Sequence, residues 1–264
     1  MKAAALLGHQ WRRHLGALTA LGGGLFAFAW VVTRMAPGPG ETEAFERMLQ
    51  YLPPVLQQML GPEMLANVTT RGFIAFTGFV HPVILLLMGV WTVRVGAAGL
   101  AGEINAGTMD LLASRPVPRA LPVGVTYCWL LAGLGILVAA VWGSLAVGLA
   151  SRRDVRLDPA DYAGAAGMLW LLFAAFGAVA LALSAVTRSG GSWAAGLVAG
   201  SFALDYVARL WEPIGWMRRL SLFRYFRPTE IVMTGVAAVD VVVLAGVAAG
   251  GLLAALVLFQ RRDL

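Results

Sequence analysis

The amino-acid sequence predicts an all-α membrane protein with six transmembrane helices. Of its 264 residues, 59% are hydrophobic and only 13% are charged, and the mean hydropathy is +0.76. These values exceed those of soluble domains of this length. Several apolar stretches reach the roughly 20 residues that cross a hydrocarbon core about 30 Å thick. The stretches are continuous, whereas the strands of a membrane barrel alternate, so helices are expected.

Six apolar stretches mark the expected spans. They cover residues 15–35, 72–98, 120–150, 162–187, 191–210 and 233–259. An even number of spans places both termini on the same side of the membrane. The chain is therefore expected to form one transmembrane domain over residues 1–264.

The N-terminal segment is expected to form an interfacial helix before the first span. Leu7, Trp11 and Leu15 recur at helical spacing opposite Arg12 and Arg13, as in helices that lie in the headgroup layer. The alternative is an ordinary basic flank of the first span. The segment is too polar, and too long before its apolar run, for a cleaved signal peptide, so we expect it to be retained.

The orientation is decided by the terminal arginines. With the N-terminus inside, nine of the 20 Lys and Arg residues lie on inner segments and the other 11 on outer ones. The outer arginines are interspersed with acidic residues, whereas the inner side carries only three. Because basic residues near the span ends favour the cytoplasm, Arg12, Arg13, Arg261 and Arg262 place both termini inside.

Two outer loops are expected to lie at the membrane–water boundary. The first carries apolar residues at helical spacing on both sides of a proline pair: Phe45, Met48, Leu49 and Leu52, then Val55, Leu56, Met59 and Leu60. The last, RLWEPIGWMRRLSLFRYFRPTE, mixes tryptophan, tyrosine and arginine, which is typical of a membrane interface. We expect a structural role for this loop, with substrate exit as the alternative.

Few polar side chains lie within the spans, and each is a functional candidate because burial in lipid is costly. Asp205 and Asp240 lie toward the outer ends of the fifth and sixth spans, and Arg209 follows Asp205 by one helical turn. An internal ion pair is favoured over a substrate contact. His81 precedes Pro82, and we expect a neighbouring carbonyl to satisfy it, with a gating kink as the alternative.

A polar stretch, GEINAGTMDLLASRPVPRA, connects the second and third spans at residues 102–120. Thr108 is a good N-cap, Asp110 lies in a first turn where a carboxylate is favourable, and Pro116 ends the helix. The stretch therefore predicts a short inner helix over residues 109–114. Its exposed methionine and leucines suit docking into a partner's groove. A helix resting on the membrane surface is the alternative.

This stretch closely resembles the first cytoplasmic loop of ABC transporter permeases of the type-2 exporter class. The shared pattern, E-x-x-x-G-T-x-x-L-L-x-S-R-P-x-x-R, is met by Glu103, Gly107, Thr108, Leu111, Leu112, Ser114, Arg115, Pro116 and Arg119. The resemblance extends to an N-terminal elbow helix, six spans, a short re-entrant or interfacial outer segment between the last two, and a basic C-terminal end.

The resemblance implies that the loop, residues 100–120, carries a cytoplasmic coupling helix that docks on an ATPase subunit. The implied roles are groove filling by Met109, Leu111 and Leu112, orientation by Glu103, Arg115 and Arg119, and shaping of the helix start by Gly107 and Thr108. Asp110 and Pro116, in the first turn and at the end of this helix, belong to the same coupling site. It also implies two ATPase copies, a homodimer of the permease in the lipid bilayer, and the bacterial cytoplasmic (inner) membrane. No nucleic-acid partner is expected.

ATP is not expected to bind this chain through a P-loop. That motif requires a lysine within G-x-x-x-x-G-K-[ST], and the only lysine is Lys2. ATP and Mg²⁺ are therefore expected on the partner subunit, and no cofactor or metal is expected in the permease itself. Energy would reach the permease through the coupling loop.

Close helix packing in lipid requires small residues, which points to a dimer interface along two helices. The expected stripes, which in the family also line the substrate path, are Gly16, Ala20 and Gly24 in the first span and Ser192, Gly196 and Gly200 in the fifth, with Asp205 nearby. The sequence is rich in glycine, with 32 in all, so such stripes also arise by chance.

Other classes of function have weaker support. The H-E-x-x-H motif of a metalloprotease is absent, and His81 alone does not provide the paired ligands of a b-type haem. A serine hydrolase would need Ser184 or Ser201 beside His81, without a nucleophile-elbow motif in support. A non-transporting anchor or sensor for an ATPase remains an alternative to the exporter.

Overall fold

The protein is described by a computed structural model at residues 2–38, 40–60, 69–97, 99, 102, 118, 120–187 and 189–261. Every regular element in these ranges is helical, which confirms the all-α class. The α-helices are α1 (Lys2–Met35), α2 (Thr42–Gln50), α3 (Pro54–Leu60), α4 (Thr70–Phe79), α5 (Pro82–Thr92), α6 (Ala120–Ala150), α7 (Ala163–Val186), α8 (Gly190–Leu210), α9 (Pro228–Thr234) and α10 (Ala238–Gln260). A π-helical turn, Val93–Ala97, and three 3₁₀ segments, Pro159–Tyr162, Glu212–Leu220 and Leu222–Tyr225, complete the set.

Five helical stretches in the described ranges are long and apolar enough to cross a membrane. They are His14–Met35, Thr70–Ala97, Ala120–Ala150, Pro159–Val186 and Ala238–Gln260. They correspond to five of the six expected spans. The other expected span, α8, has 21 residues and is about 31 Å long, but Asp205 and Arg209 reduce its hydropathy. The count of six spans is therefore not confirmed.

The last span begins later than expected. Residues 233–237 were predicted within it, but α9 ends at Thr234 and α10 begins at Ala238. Gly235 separates them with a φ of 92°, a left-handed conformation that favours glycine. The hydropathy of this region did not reveal the turn because its residues are small and apolar.

The N-terminal elbow is not separated from the first span in the backbone. Helix α1 runs from Lys2 to Met35 without a break, and its 34 residues extend about 51 Å, more than the hydrocarbon core requires. A candidate span covers His14–Met35 within this helix. An interfacial elbow turned away from the span is therefore not confirmed.

The second span consists of two helices joined at Val80 and His81. Pro82 is the first residue of α5. Proline has no backbone N–H, and an N–H at this position would have no acceptor within the helix. The His81 Nδ1 accepts a hydrogen bond from the Val83 N–H at 3.3 Å and thus caps α5. This contact is to a backbone N–H, so the expected carbonyl partner stays a prediction. The span is interrupted at His81.

The C-terminal end of the second span is joined to α1 and α7. Its π turn ends at Ala97, whose carbonyl accepts a hydrogen bond from the Ser184 Oγ at 2.7 Å. Within the turn, the Arg94 Nε donates to the His14 Nδ1 at 3.5 Å. These contacts anchor the chain immediately before the polar inner loop.

Helix α7 forms the centre of the protein and packs against α6, α8 and α10. Its buried side chains include Leu169, Phe173 and Phe176. Helix α1 packs along α6 on one side, where the Ser144 Oγ donates to the Phe26 carbonyl at 2.6 Å. The interior is thus built mainly by van der Waals contact between helices, as expected in lipid.

One tryptophan connects the second and third spans. Trp91 is fully buried, and its Nε1 donates to the Leu130 carbonyl at 3.2 Å. Its ring lies so close to Gly133 that a Cβ at this glycine would be 2.0 Å from a ring carbon. Only glycine therefore fits at this position without a shift of the ring.

Arginines hold the C-terminal ends of α1 and α6 together. The Arg152 Nη1 donates to the carbonyls of Thr33, at 3.3 Å, and Ala36. The Arg34 Nη1 donates to the Ser151 carbonyl at 3.3 Å. Because carbonyls at a helix C-terminus lack intrahelical donors and carry partial negative charge, these guanidinium groups satisfy both ends.

Acidification is expected to weaken this arrangement through Asp154. The hydrogen bond from Arg152 lowers the pKa of the Asp154 carboxyl below its ordinary value. A depressed folded-state pKa contributes stability above the ordinary pKa of about 3.9, and this contribution is lost as the pH falls through the folded value.

The measurement is the difference in melting temperature between the wild type and Asp154→Asn in detergent, from about pH 7 to about pH 3. The difference should be present at neutral pH and disappear at the acidic end. A difference that is constant with pH would contradict this role for Asp154.

Candidate functional site

After α8 the chain turns back along the helix it has just left. The Ser221 Oγ donates to the Ser201 carbonyl at 2.8 Å, and the two hydroxyl oxygens are 3.1 Å apart. Ser201 lies nine residues before Leu210, the end of α8, which corresponds to about 14 Å of helix. Residues 211–220 therefore descend along the outer half of α8.

The part of this path around Phe223 lies near the level of the bilayer centre. The Phe223 ring is 5.5 Å from Phe202 of α8 and 5.4 Å from Phe176 of α7. Phe176 lies ten residues before Val186, the end of α7, or about 15 Å into a core about 30 Å thick. Residues 211–227 thus form what we call the re-entrant segment, and α9 and Gly235 lead the chain back to α10.

A buried carboxylate connects the re-entrant segment to α8. Asp205 is 5% exposed, and its Oδ2 is 2.7 Å from the Arg209 Nη2. Its Oδ1 accepts a hydrogen bond from the Arg218 Nε at 3.3 Å. The ion pair expected with Arg209 is confirmed, but sequence reasoning missed Arg218 because this contact depends on the reversal of the chain.

A second charged group lies where the re-entrant segment joins α9 and α10. The Arg227 Nη2 is 3.1 Å from the Asp240 Oδ2, and its Nη1 pairs with Glu230. These residues border a cavity of about 140 Å³ whose other lining residues include Thr234 and Gly235. Asp240 is therefore neutralised within the protein, in agreement with a structural role.

The two expected stripes of small residues are exposed. Gly16, Ala20 and Gly24 on α1 and Ser192, Gly196 and Gly200 on α8 all lie on the surface. The stripes flank α5, because Gly24 lies next to Leu87 and Val198 of α8 lies next to Gly89. Asp205 was grouped with them, but it is buried against the re-entrant segment because its carboxylate binds two arginines.

The residues predicted to contact an ATPase lie outside the described ranges. They are Glu103, Gly107, Thr108, Met109, Asp110, Leu111, Leu112, Arg115, Pro116 and Arg119. The structure describes both ends of the loop, the π turn at Val93–Ala97 and the start of α6 at Ala120. The docking geometry therefore remains a prediction.

A comparison with known protein families adds the deciding observation. The family model for the ABC-2 family transporter protein matches residues 40–264, most of the chain. The chain belongs to the ABC-2 transporter family. A comparison with curated proteins gave no significant match. The match confirms the resemblance seen in the inner loop.

As an ABC-2 permease, the protein is a multi-pass membrane component of an ABC transporter, a class that typically works with an ABC ATPase. It is a membrane transport component. The matched residues include α8 and the re-entrant segment, both of which the structure describes in detail.

Proposed function

We propose that this ABC-2 protein is the permease subunit of an ATP-driven exporter in the bacterial cytoplasmic membrane. Two permease chains form the translocation path, and two separate ATPase subunits bind ATP and Mg²⁺. The family match over residues 40–264 carries the proposal, and the inner-loop pattern supports it. ATP-driven closure of the ATPases moves the docked loops, rotates the spans and opens the path alternately to the two sides.

The contacts made by the outer arginines support a cytoplasmic location of both termini. Seven of the 11 are engaged with carboxylates or backbone carbonyls: Arg34, Arg47, Arg71, Arg152, Arg209, Arg218 and Arg227. A guanidinium that binds a carboxylate or a helix end is part of the fold and has less influence on orientation than a free one. The large raw count on the outer side is therefore compatible with the positive-inside rule.

A second copy of the chain is the proposed partner for the surface formed by α1, α5 and α8. The glycines of the two stripes have open space around them, as at Gly16 and Gly196. Large apolar side chains are exposed on the same helices, for example Trp30, Leu86 and Trp193. Small residues beside large ones allow two helices in lipid to approach closely.

Leu111→Asp is expected to uncouple ATP hydrolysis from transport. The substitution places a charge in the apolar contact with the ATPase, and burying an unpaired carboxylate costs several kcal/mol. The permease is expected to fold normally, because Leu111 lies in the polar stretch between the second and third predicted spans. The measurement is transport into vesicles containing the permease and an ABC ATPase that co-purifies with it, together with ATP hydrolysis.

Leu111→Met is the matched control, since it keeps the apolar character and volume and should retain coupling. Co-purification of the ATPase should fall in Leu111→Asp and persist in the control. Normal transport by Leu111→Asp would refute the docking role. ATPase binding without transport of any substrate by the wild type would favour an anchor or sensor.

A further inference from the structure

The 3₁₀ part of the re-entrant segment has two distinct faces. In a 3₁₀ helix, residues three apart lie on the same side. One side faces α8, because Arg218 binds Asp205 and a Cβ on Gly215 would lie 3.7 Å from the Ala208 carbonyl. The adjacent side, formed by Pro213, Trp216 and Arg219, is exposed.

Arg219 lies within the membrane thickness and not at its edge. The preceding residue contacts Asp205, five residues or about 7 Å before the end of α8. Two residues later, Ser221 contacts Ser201, about 14 Å before that end. The backbone of Arg219 therefore lies between these two levels.

A second exposed arginine lies deeper. Arg224 directly follows Phe223, whose ring contacts Phe176 near the level of the bilayer centre. Among the carboxylate side chains that the structure describes, which do not include that of Glu212, none lies within ion-pair distance of Arg219 or Arg224. The other two arginines of the segment, Arg218 and Arg227, are both paired with carboxylates.

An exposed guanidinium at this depth needs water or an anion, because contact with hydrocarbon is unfavourable for a charged group. Arg218 and Arg227 are neutralised by their paired carboxylates, whereas no ion pair is found for Arg219 and Arg224 among the side chains that the structure describes. Arginine binds phosphate, sulfonate and carboxylate groups with parallel hydrogen bonds, which favours an anionic ligand.

The neighbouring side chains indicate the rest of the ligand. Trp216, one 3₁₀ turn before Arg219, is 64% exposed, and Leu220 is 66% exposed. Trp216 provides an apolar surface on the same side as the Arg219 guanidinium, and Leu220 provides a second one on the adjacent side of the 3₁₀ segment. A molecule with an anionic head and an apolar body matches both features.

We propose that Arg219 and Arg224 bind the anionic headgroup of an amphiphile, and that Trp216 and Leu220 contact its apolar part. The site gives the substrate class of the proposed exporter, anionic amphiphiles, and in this respect it rests on the proposed function. The ligand reaches it either from the membrane, as an anionic lipid, or from water, as a soluble amphiphilic anion.

The test uses the full chain in phosphatidylcholine nanodiscs, without an ATPase. Brominated phosphatidylglycerol, brominated phosphatidylcholine and 8-anilinonaphthalene-1-sulfonate are titrated separately, with quenching of tryptophan fluorescence as the readout. The wild type should bind the anionic lipid, the sulfonate or both, with the anionic lipid preferred over phosphatidylcholine. Arg219→Gln/Arg224→Gln should weaken that anion binding about tenfold or more.

Arg153→Gln is the matched control, since Arg153 is another exposed outer arginine and lies outside the re-entrant segment. It should leave anion binding unchanged. Arg219→Lys should retain part of the binding, because it keeps the charge but loses the planar donors. Trp216→Phe should remove much of the quenching signal, which places the ligand beside residue 216.

If only the anionic lipid binds in an arginine-dependent way, the ligand enters the site from the membrane. If the sulfonate binds in an arginine-dependent way, the ligand enters from water. Binding of both that is equal in the wild type and the double variant would overturn the proposal, as would the absence of any preference for anions. Since no ATPase is present, either negative result leaves the exporter assignment standing. Failure of transport or of ATPase binding, in turn, would contradict the proposed function but not the measured binding of anions at this site.

Discussion

Asp205→Ala is expected to destabilise the protein by about 3 kcal/mol, one of the two largest effects among the predictions. The carboxylate is buried and binds Arg209 at 2.7 Å and Arg218 at 3.3 Å. Removing it leaves two partly buried guanidinium groups close together without a counter-charge. It also releases the re-entrant segment from α8. The measurement is the free energy of unfolding in detergent micelles by denaturant titration.

Glu43→Ala is the matched control, because Glu43 and Arg47 form the same kind of pair, four residues apart on a helix. Their side chains are 88% and 70% exposed, so loss of this pair should cost less than about 1 kcal/mol. Arg209→Ala should have an intermediate effect, since Arg218 still neutralises Asp205. Equal stability of Asp205→Ala and Glu43→Ala would show that the buried pair does not hold the segment.

Gly133→Ala is expected to cost about 2 to 3 kcal/mol although it adds only one methyl group. The new Cβ would lie 2.0 Å from a carbon of the Trp91 ring, which is fully buried and cannot move into free space. The ring must shift, and its hydrogen bond to the Leu130 carbonyl, now 3.2 Å, is weakened or lost. Thermal and denaturant unfolding both report this change.

Gly143→Ala on the same helix is the control. A Cβ at Gly143 would have no neighbour within 4 Å, so its effect should be neutral or slightly stabilising through helix propensity. In a Trp91→Leu background, Gly133→Ala should cost less than it does in the wild type, because the smaller side chain makes room for the methyl group. No difference between the two alanine variants would contradict the assigned clash.

Hydropathy predicted the membrane helices well because their length and apolar character are local properties. The third span was expected at residues 120–150, and α6 covers Ala120–Ala150. The helical pattern on both sides of Pro53 similarly predicted α2 and α3. The all-α class follows from the same local information.

The re-entrant path was harder to predict because it depends on contacts between distant positions. The aromatic and arginine residues of the last outer loop also fit a segment lying flat at the interface, which was the favoured structural interpretation. The bonds between Ser201 and Ser221, and between Asp205 and Arg218, distinguish the two paths. A sequence alone gives no distance between such residues.

The close fit of Trp91 at Gly133 was not predicted for a related reason. In a chain with 32 glycines, most have no neighbour that requires them, and composition does not identify those that do. The small-residue stripes on α1 and α8 illustrate the opposite case. Their pattern was visible in the sequence, and the structure places them on the surface without showing what covers them.

The division of the second span at His81 affects how that span bends. In a continuous helix, a sharp bend must break several hydrogen bonds between successive turns, whereas Pro82 has no N–H to lose and α5 has its own cap at His81. The outer half, α4, packs against α9, and the inner half ends in the π turn that leads to the polar loop. A force applied at the loop would therefore rotate α5 relative to α4, with Val80 and His81 as the hinge.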